Sequence, residues 1–392
     1  MSLRERIAIT GVGETAYSRN SGKSVLALQL EASLKAIDDA GLSPKDIDGI
    51  IPYSNSAVVA EDFVTNFGID DLRFSATTPL GGASCVAGIQ AALLAISAGL
   101  CNHVLLPIGR NGSSAGRIGT RVQQMPQFKV VGEFEMPIGA IAPAQLYAAM
   151  ARRHMELYGT TSRQLGEIAV STRHNAVLNG NAMMTKPITI EDHQNSRMIS
   201  DPLRLLDCSL ESDGGAAIVV SAAERGKDMR QKPILVMGVA EGHPDSPSSI
   251  TQRPDMTRLG IAKAAPKAFA MAGVSPREIQ VAEIYDCFTY VVLCQLEDIG
   301  FCKKGEGGKF VADGNLISGV GKLPFNTDGG GLCSNHPVNR GGMTKILEAV
   351  RQLRGEAHPK VQVKNCDLAI AHGTGGLLGV RHAASTCILE RV

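Results

Sequence analysis

The chain has 392 residues, of which 44% are hydrophobic and 20% charged, and its formal net charge is +1. This composition is typical of a globular protein with two or three structural units, and the weak charge argues against nucleic acid or an anionic membrane as a partner. The sequence shows no membrane span or secretion signal, and its nine cysteines include no Cys-x-x-Cys pair, which together indicate a cytoplasmic protein with reduced thiols and no zinc site.

The first 109 residues alternate between strand and helix patterns. Residues 7–13 predict a strand that runs into a glycine turn. Ser24 can cap a helix that ends at Gly41, and a short strand over residues 48–52 follows. Residues 103–109 form an unbroken apolar stretch that is typical of a buried strand.

Cys85 stands out in this half because it ends a glycine-containing turn and begins a helix. Apolar residues recur with helical spacing from Val86 to Ile96. The unpaired N–H groups and the dipole at a helix N-terminus favour a thiolate. The sequence therefore predicts Cys85 as a nucleophile, with an inert buried thiol as the alternative.

The pattern changes between residues 110 and 210. Helical patterns over residues 145–158 and 162–178 replace the alternation, and the intervening stretches are rich in Gly, Ser, Met, Arg and Asn. We interpret this region as an insertion whose loops cover one end of the sheet and bind substrate.

The second half repeats the first. Residues 36–50 and 268–282 match at an offset of 232, with six identities in fifteen positions. In each copy a helix ends at a glycine, and a Ser-Pro turn leads into a strand. Two copies of an alternating α/β unit predict parallel-rich sheets that helices cover on both faces.

Loops in the second half contain further reactive side chains. Tyr285 and Cys287 follow a predicted strand over residues 281–284, and His336 lies in a glycine-rich loop over residues 328–337. His372 follows the strand over residues 368–371. Because functional loops in such folds gather beyond the strand ends, we expect these residues to lie near Cys85.

Taken in order, these motifs resemble those of the thiolase superfamily, and within it the sterol-carrier-protein-type thiolases and their bacterial relatives. Residues 285–288, Tyr-Asp-Cys-Phe, look like that branch's His-Asp-Cys-Phe motif, and residues 335–337, Asn-His-Pro, look like the Gly-His-Pro motif. The resemblance implies a thiolase fold of two homologous α/β halves in five α-β-α-β-α layers. It implies an N-terminal half over 1–109 plus 211–228, an inserted loop domain over 110–210 that holds the acyl-CoA site, and a C-terminal half over 229–392.

The resemblance also implies an acetyl-CoA acyltransferase that cleaves or forms a 3-oxoacyl-CoA. Cys85 would carry the acyl group, His336 would polarise oxygen and tune the thiol, and Cys287 would move the proton. Coenzyme A would be the cosubstrate, with no metal and no covalently bound cofactor. Backbone N–H groups near Cys85 and in the 373–376 turn would stabilise an oxyanion, through Gly373, Gly375 and Gly376.

Two departures from the family pattern leave other functions open. Tyr285 replaces a histidine or asparagine that helps to hold a water, and His372 stands near the position of a second acid/base cysteine. Tyr285 fits a retro-aldolase that cleaves a β-hydroxyacyl-CoA and needs a small companion protein with an OB-fold and a zinc ribbon. A non-catalytic acyl-CoA- or lipid-binding protein is the other alternative. The resemblance further implies a homodimer.

Overall fold

The computed structural model describes residues 3–53, 58–115, 131–226, 229–243, 245, 250–337, 341–375 and 383–392. Within these ranges, no helix is long and apolar enough to cross a membrane.

The described residues contain eleven strands, numbered in chain order: β1 Ile7–Glu14, β2 Gly49–Ile50, β3 Phe74–Ser75, β4 His103–Asn111, β5 Met198–Ser200, β6 Leu203–Arg204, β7 Asp213–Ala222, β8 Ile234–Gly242, β9 Val281–Ile284, β10 Leu368–Gly375 and β11 Ala383–Arg391. The α-helices are α1 Val25–Ala40, α2 Ala60–Phe67, α3 Ser84–Ser97, α4 Pro143–Tyr158, α5 Ser162–Asn179, α6 Ile190–Asn195, α7 Ala223–Gly226, α8 Ile261–Ala272, α9 Thr289–Ile299, α10 Gly307–Phe310 and α11 Gly341–Arg354.

The repeated segment folds the same way in both halves. Helix α1 ends at Gly41 and α8 at Gly273, both in the left-handed conformation, with φ of 74° and 73°. In the turn that follows α1, the Asp46 carboxylate accepts hydrogen bonds from the backbone N–H and hydroxyl of Ser43. Glu278 accepts the same two bonds from Ser275 after α8. The same local chemistry therefore directs the chain into β2 and into β9.

One nine-stranded sheet runs through the molecule in the order β3-β2-β4-β7-β1-β8-β11-β10-β9. Within the first half β4 and β7 pair antiparallel, as β10 and β11 do in the second. Antiparallel pairing of β1 with β8 joins the halves. The structure confirms an α/β fold with a large central sheet, in two similarly built halves.

The expectation of parallel-rich sheets is wrong. Five of the strand pairs in the large sheet are antiparallel and three are parallel. Parallel neighbours need a crossover connection, usually a helix, as between β9 and β10. Strand β11 follows β10 after only seven residues, 376–382, so it returns along its neighbour in the opposite direction.

Three hydrophobic cores separate the layers. Helix α1 covers the outer face of the first half, and α8 covers that of the second. Helices α3 and α11 lie between the two halves and contact strands of both. Their N-terminal ends meet inside the protein, because a Cβ on Gly342 of α11 would lie 2.1 Å from the carbonyl oxygen of Gly82, two residues before α3.

Candidate functional site

Tyr285 and His336 form the centre of the candidate site. Tyr285 directly follows β9, and its backbone N–H donates to the carbonyl of His372 on β10, with 2.9 Å between nitrogen and oxygen. Its hydroxyl oxygen lies 2.9 Å from His336 Nε2. Both side chains are buried. The structure thus brings together two of the predicted site residues as a hydrogen-bonded pair.

Burial keeps both members of this pair neutral. It raises the pKa of Tyr285 well above its usual value, with smaller contributions from Cys287, Tyr147 and Tyr53. Burial and, to a lesser degree, the positive charge of Lys345 lower the pKa of His336 to about 3. At neutral pH the phenol therefore retains its proton, and the two side chains share a hydrogen bond between neutral groups.

The loop that presents His336 is fixed by Asp286. The Asp286 carboxylate accepts hydrogen bonds from the N–H groups of Gly331 and Leu332, at 2.7 and 3.1 Å. Gly330 makes this approach feasible, because a Cβ there would lie 2.2 Å from an Asp286 oxygen. Burial raises the pKa of Asp286 to about 6, although the charge of Lys345 and these two bonds oppose the shift.

A buried ion pair supports the same loop from helix α11. Lys345 Nζ lies 3.1 Å from Asp328 Oδ1, and the lysine side chain is only 1% exposed. The neighbouring carboxylates raise the pKa of Lys345, although burial lowers it. The Asp328 carboxylate also accepts from the N–H of Gly330, at 2.7 Å. The positive charge that disfavours protonation of His336 is therefore held in place from behind the loop.

Close backbone packing brings the start of α3 to this pair. A Cβ on Gly82 would lie 2.7 Å from Tyr285 Cζ and 2.4 Å from the Thr374 carbonyl oxygen. Cys85, at the first turn of α3, is buried and lines a small pocket with Tyr53 and Met343. The prediction that Cys85 begins a helix is confirmed.

The other predicted site residues lie on the strands and loops around this centre. Cys287 is buried two residues beyond Tyr285, and its carbonyl accepts from the N–H of Ser209. His372 is fully buried, and its Nδ1 lies 2.8 Å from the Thr386 hydroxyl on β11. Side chains alternate between the two faces of a strand, so the His372 ring lies on the same face of β10 as Ile370. Ile370 packs in the hydrophobic core beneath α8, whereas Ala371, on the opposite face, packs in the core that contains α3. The structure thus brings Tyr285, His336 and Cys287 together and turns the His372 ring away.

The predicted oxyanion glycines pack against the turn that precedes Cys85. Cβ atoms at Gly373 and Gly375 would lie 2.5 and 2.6 Å from backbone atoms of Gly82. Both glycines belong to β10 and pair with β11. Gly376 lies outside the described residues. The roles predicted for these glycines and for the side chains named above stay predictions.

Two features of the site were missed in the sequence. Tyr53 lies beside Cys85 and influences Tyr285 electrostatically, and it stands 232 residues before Tyr285. Extending the repeat by three residues would therefore have found it. The buried side chains of Lys345 and Glu348 had no such signal, because charged residues on an amphipathic helix ordinarily face water.

Comparisons with known proteins show which family and which proteins this chain resembles. Residues 242–391 match the domain family described as "Thiolase C-terminal domain-like". Over 382 residues, covering 95% of this chain and 97% of the relative, the sequence is 40% identical to a 17-hydroxy-3-oxo-4-pregnene-20-carboxyl-CoA lyase of Mycobacterium tuberculosis. It is 41% identical to a steroid side-chain-cleaving aldolase of Thermomonospora curvata over 89% of this chain and 90% of the relative.

A solved structure of an aldolase is also similar to this chain. The "Ltp2-ChsH2(DUF35) aldolase" superposes with a TM-score of 0.89 at 37% identity, covering 99% of this chain and 98% of that one. An acetyl-CoA acyltransferase as the main enzyme type is therefore wrong, because these relatives are named lyase or aldolase. Among the described residues, no group of three or more His, Cys, Asp or Glu side chains could hold a metal ion.

Proposed function

The chain belongs to the thiolase superfamily, in its sterol-carrier-protein-type branch, and on that premise we propose that it is a carbon–carbon lyase. It would cleave a β-hydroxyacyl-CoA by a retro-aldol reaction, giving a ketone and a shortened acyl-CoA. One observation carries this proposal: the Tyr285 hydroxyl binds the His336 nitrogen that a thiolase mechanism would use to tune the Cys85 thiol. CoA is then part of the substrate rather than a cosubstrate.

The neutral Tyr285–His336 pair suits the proton movements of this reaction. As the Cα–Cβ bond breaks, the Tyr285 oxygen takes the proton of the β-hydroxyl and releases its own phenolic proton toward the enolate carbon, so neither Tyr285 nor His336 becomes charged, and the bonding electrons pass to the thioester as an enolate. The enolate carbon then takes a proton back, so no net proton is gained or lost. The N–H groups at the start of α3 supply donors for the enolate oxygen. Cys85 forms no acyl intermediate in this scheme.

The relatives support proposals about the size of the substrate and about a protein partner. Two relatives are named for steroid substrates, which supports a bulky ring at the β-carbon. The solved aldolase is a complex with a DUF35 partner, which supports a companion subunit here. A homodimer, a cytoplasmic location and an acyl-CoA site in the inserted region belong to the same proposal.

The test uses 2-(1-hydroxycyclopentyl)propanoyl-CoA with the full chain, alone and with a DUF35-type companion. We expect cyclopentanone and propanoyl-CoA to form in equal amounts, without added CoA. Cys85→Ala should keep turnover within about tenfold, because no step needs the thiol, whereas a nucleophile or triad member typically accounts for ~10⁴-fold or more. Cys101→Ala, at a buried thiol beyond the end of α3, is the matched control.

Two results would contradict the proposal. Loss of turnover in Cys85→Ala alone, with a covalent acyl mass on the wild-type cysteine, would show chemistry through Cys85. Absence of cleavage with every companion tested, despite binding of the CoA thioester, would indicate a binding protein.

A further inference from the structure

A second polar cluster lies behind the Tyr285–His336 pair and is not used in the proposed mechanism. Thr327 Oγ1 lies 2.9 Å from Glu283 Oε1 and 2.7 Å from Glu348 Oε1. Gln352 Nε2 donates to the same hydroxyl oxygen, at 2.9 Å. All four side chains are buried. We call these four residues the Thr327 cluster.

The orientation of the Gln352 amide is fixed by its other partners. Its Oε1 accepts from the N–H of Val363 at 2.8 Å, and its Nε2 also donates to the carbonyl of Val361 at 3.1 Å. A flipped amide would lose both bonds. The atom that faces Thr327 is therefore a donor, and it occupies one of the two lone pairs of the hydroxyl oxygen.

Counting protons then fixes the charge of the cluster. A hydroxyl has one proton and two lone pairs. Thr327 can donate its proton to only one of the two glutamates, and its remaining lone pair faces the other. Two oxygens without a proton between them would repel at this distance. One of the two carboxyl groups must therefore be protonated and donate to Thr327.

Glu283 is the better holder of that proton. Its second oxygen, Oε2, has no hydrogen-bond partner among the described residues. An unpartnered oxygen costs far less on a neutral acid than on a buried carboxylate. In agreement, burial raises the pKa of Glu283 well above its usual value, and burial together with Asp328 raises the pKa of Glu348 to about 7.

The charged and titratable groups around the cluster come from three directions. Lys345 and Arg351 lie on α11 with Glu348, Asp328 follows Thr327 in the loop, and Cys366 precedes β10. Arg351 lies 3.9 Å from Glu348 Oε2 and is bound mainly by Glu14. Arg351 thus favours the charged form of Glu348, whereas Lys345 acts in the same direction on Glu283, so the location of the proton follows from the unpartnered Oε2 of Glu283.

We propose that Glu283 and Glu348 hold one proton between them across the Thr327 hydroxyl, and that this neutral acid positions the two ends of the catalytic pair. Glu283 lies two residues before Tyr285 on β9. Its Oε1 also accepts from the backbone N–H of Thr327, at 3.0 Å, where the loop toward His336 begins. Glu348 fixes the same point to α11. The role in positioning rests on the proposed function, whereas the shared proton does not.

The shared proton is tested without substrate, by infrared spectroscopy of the full chain. At pH 7 the difference spectrum between wild type and Glu283→Gln should contain the carbonyl band of a protonated carboxylic acid. The Glu348→Gln difference should contain it too, because either amide supplies the missing donor and lets the remaining glutamate ionise. Glu278→Gln, at an exposed glutamate, is the control and should show a carboxylate only.

The positioning role is tested by turnover. Thr327→Val should lower kcat by about 10–100-fold with little change in KM, since a small displacement of reacting groups costs that much. Thr327→Ser, which keeps the hydroxyl, should restore most of it. In the wild type kcat should fall at alkaline pH as the shared proton leaves, and both Gln variants should lack this limb.

Each arm has a result that overturns its part of the proposal. Absence of the acid band from both Gln difference spectra disproves the shared proton. If Glu283→Gln fails to fold, Glu348→Gln decides the question in the same way. An unchanged pH profile in the Gln variants, or a Thr327→Ser variant as slow as Thr327→Val, disproves the positioning role. Failure of all turnover disproves the proposed function and leaves the infrared result valid.

Discussion

The two halves of the molecule use the same local structure to different ends. Strands β2 and β9 follow matching helix–turn segments, and a tyrosine stands beyond each, Tyr53 and Tyr285, at the repeat offset of 232. The Tyr285 hydroxyl forms a hydrogen bond with a histidine of the second half, His336. The central helices differ in the same way, because α3 buries apolar and small side chains whereas α11 also buries Lys345 and Glu348.

This difference shows where the asymmetry of the site comes from. The repeat builds two equivalent strand ends, which place two phenols near one another. The second half then adds a loop with His336 and a buried charged network that fixes it. The first half contributes the glycine turn and the N–H groups at the start of α3. The second half therefore supplies the Tyr285–His336 pair, and the first half, with a similar backbone, supplies the surface against which this pair packs.

The largest expected effect is the difference in kcat between variants of the two tyrosines. Tyr285→Phe removes the hydroxyl that binds His336 and should lower kcat by about 10²–10⁴-fold, the usual contribution of an acid–base group. Tyr53→Phe should lower it less, because the hydroxyl that binds His336 belongs to Tyr285. Steady-state kinetics of both variants with the same β-hydroxyacyl-CoA measure the comparison. Equal losses in the two variants would show that the phenols act as one symmetric unit.

The sequence predicts the scaffold of this site better than its chemistry. The helix that begins near Cys85, the two Ser-Pro turns and the strand over residues 281–284 all follow from local patterns, and the structure confirms them. These features depend on capping and periodicity over a few residues. The pairing of Tyr285 with His336 joins residues that lie 51 positions apart, so no local pattern could contain it.

The burial of α11 is the clearest case that local patterns cannot decide. Its apolar residues recur with helical spacing, and this predicts one covered face and one solvated face. In the fold α11 lies between the two halves, so its polar face is covered as well. Lys345 and Glu348 are therefore buried by tertiary position.

The next prediction tests the contrast between the central helices. Lys345→Met leaves Asp328 without its buried cation and should lower the free energy of unfolding by about 3–5 kcal/mol. Leu93→Met on α3 is the matched control and should cost less than about 1.5 kcal/mol, since the two side chains have similar volumes. Urea denaturation of both variants measures the difference. Similar costs would mean that the ion pair adds nothing to the support of the His336 loop.

The smallest effects should come from the feature that the halves share. Gly41 and Gly273 end the repeated helices with positive φ, so alanine at either position should cost about 1–2 kcal/mol of stability. The two glycines differ in the atoms that surround them. A Cβ at Gly41 would lie 2.9 Å from Arg230 Cβ, close to a backbone, whereas a Cβ at Gly273 would meet only the end of the Arg4 side chain, at 3.1 Å.

Because the Arg4 side chain can move aside and the Arg230 Cβ cannot, Gly41→Ala should be the more destabilising of the two. Thermal unfolding of both variants and of the double variant measures this order. The two costs should add, since additivity holds for distant sites without shared partners. A Gly273→Ala cost equal to or above that of Gly41→Ala would contradict the steric argument. Such a result would mean that the loss of stability depends on the turn before β9, the strand that leads to Tyr285, rather than on the contact with Arg230.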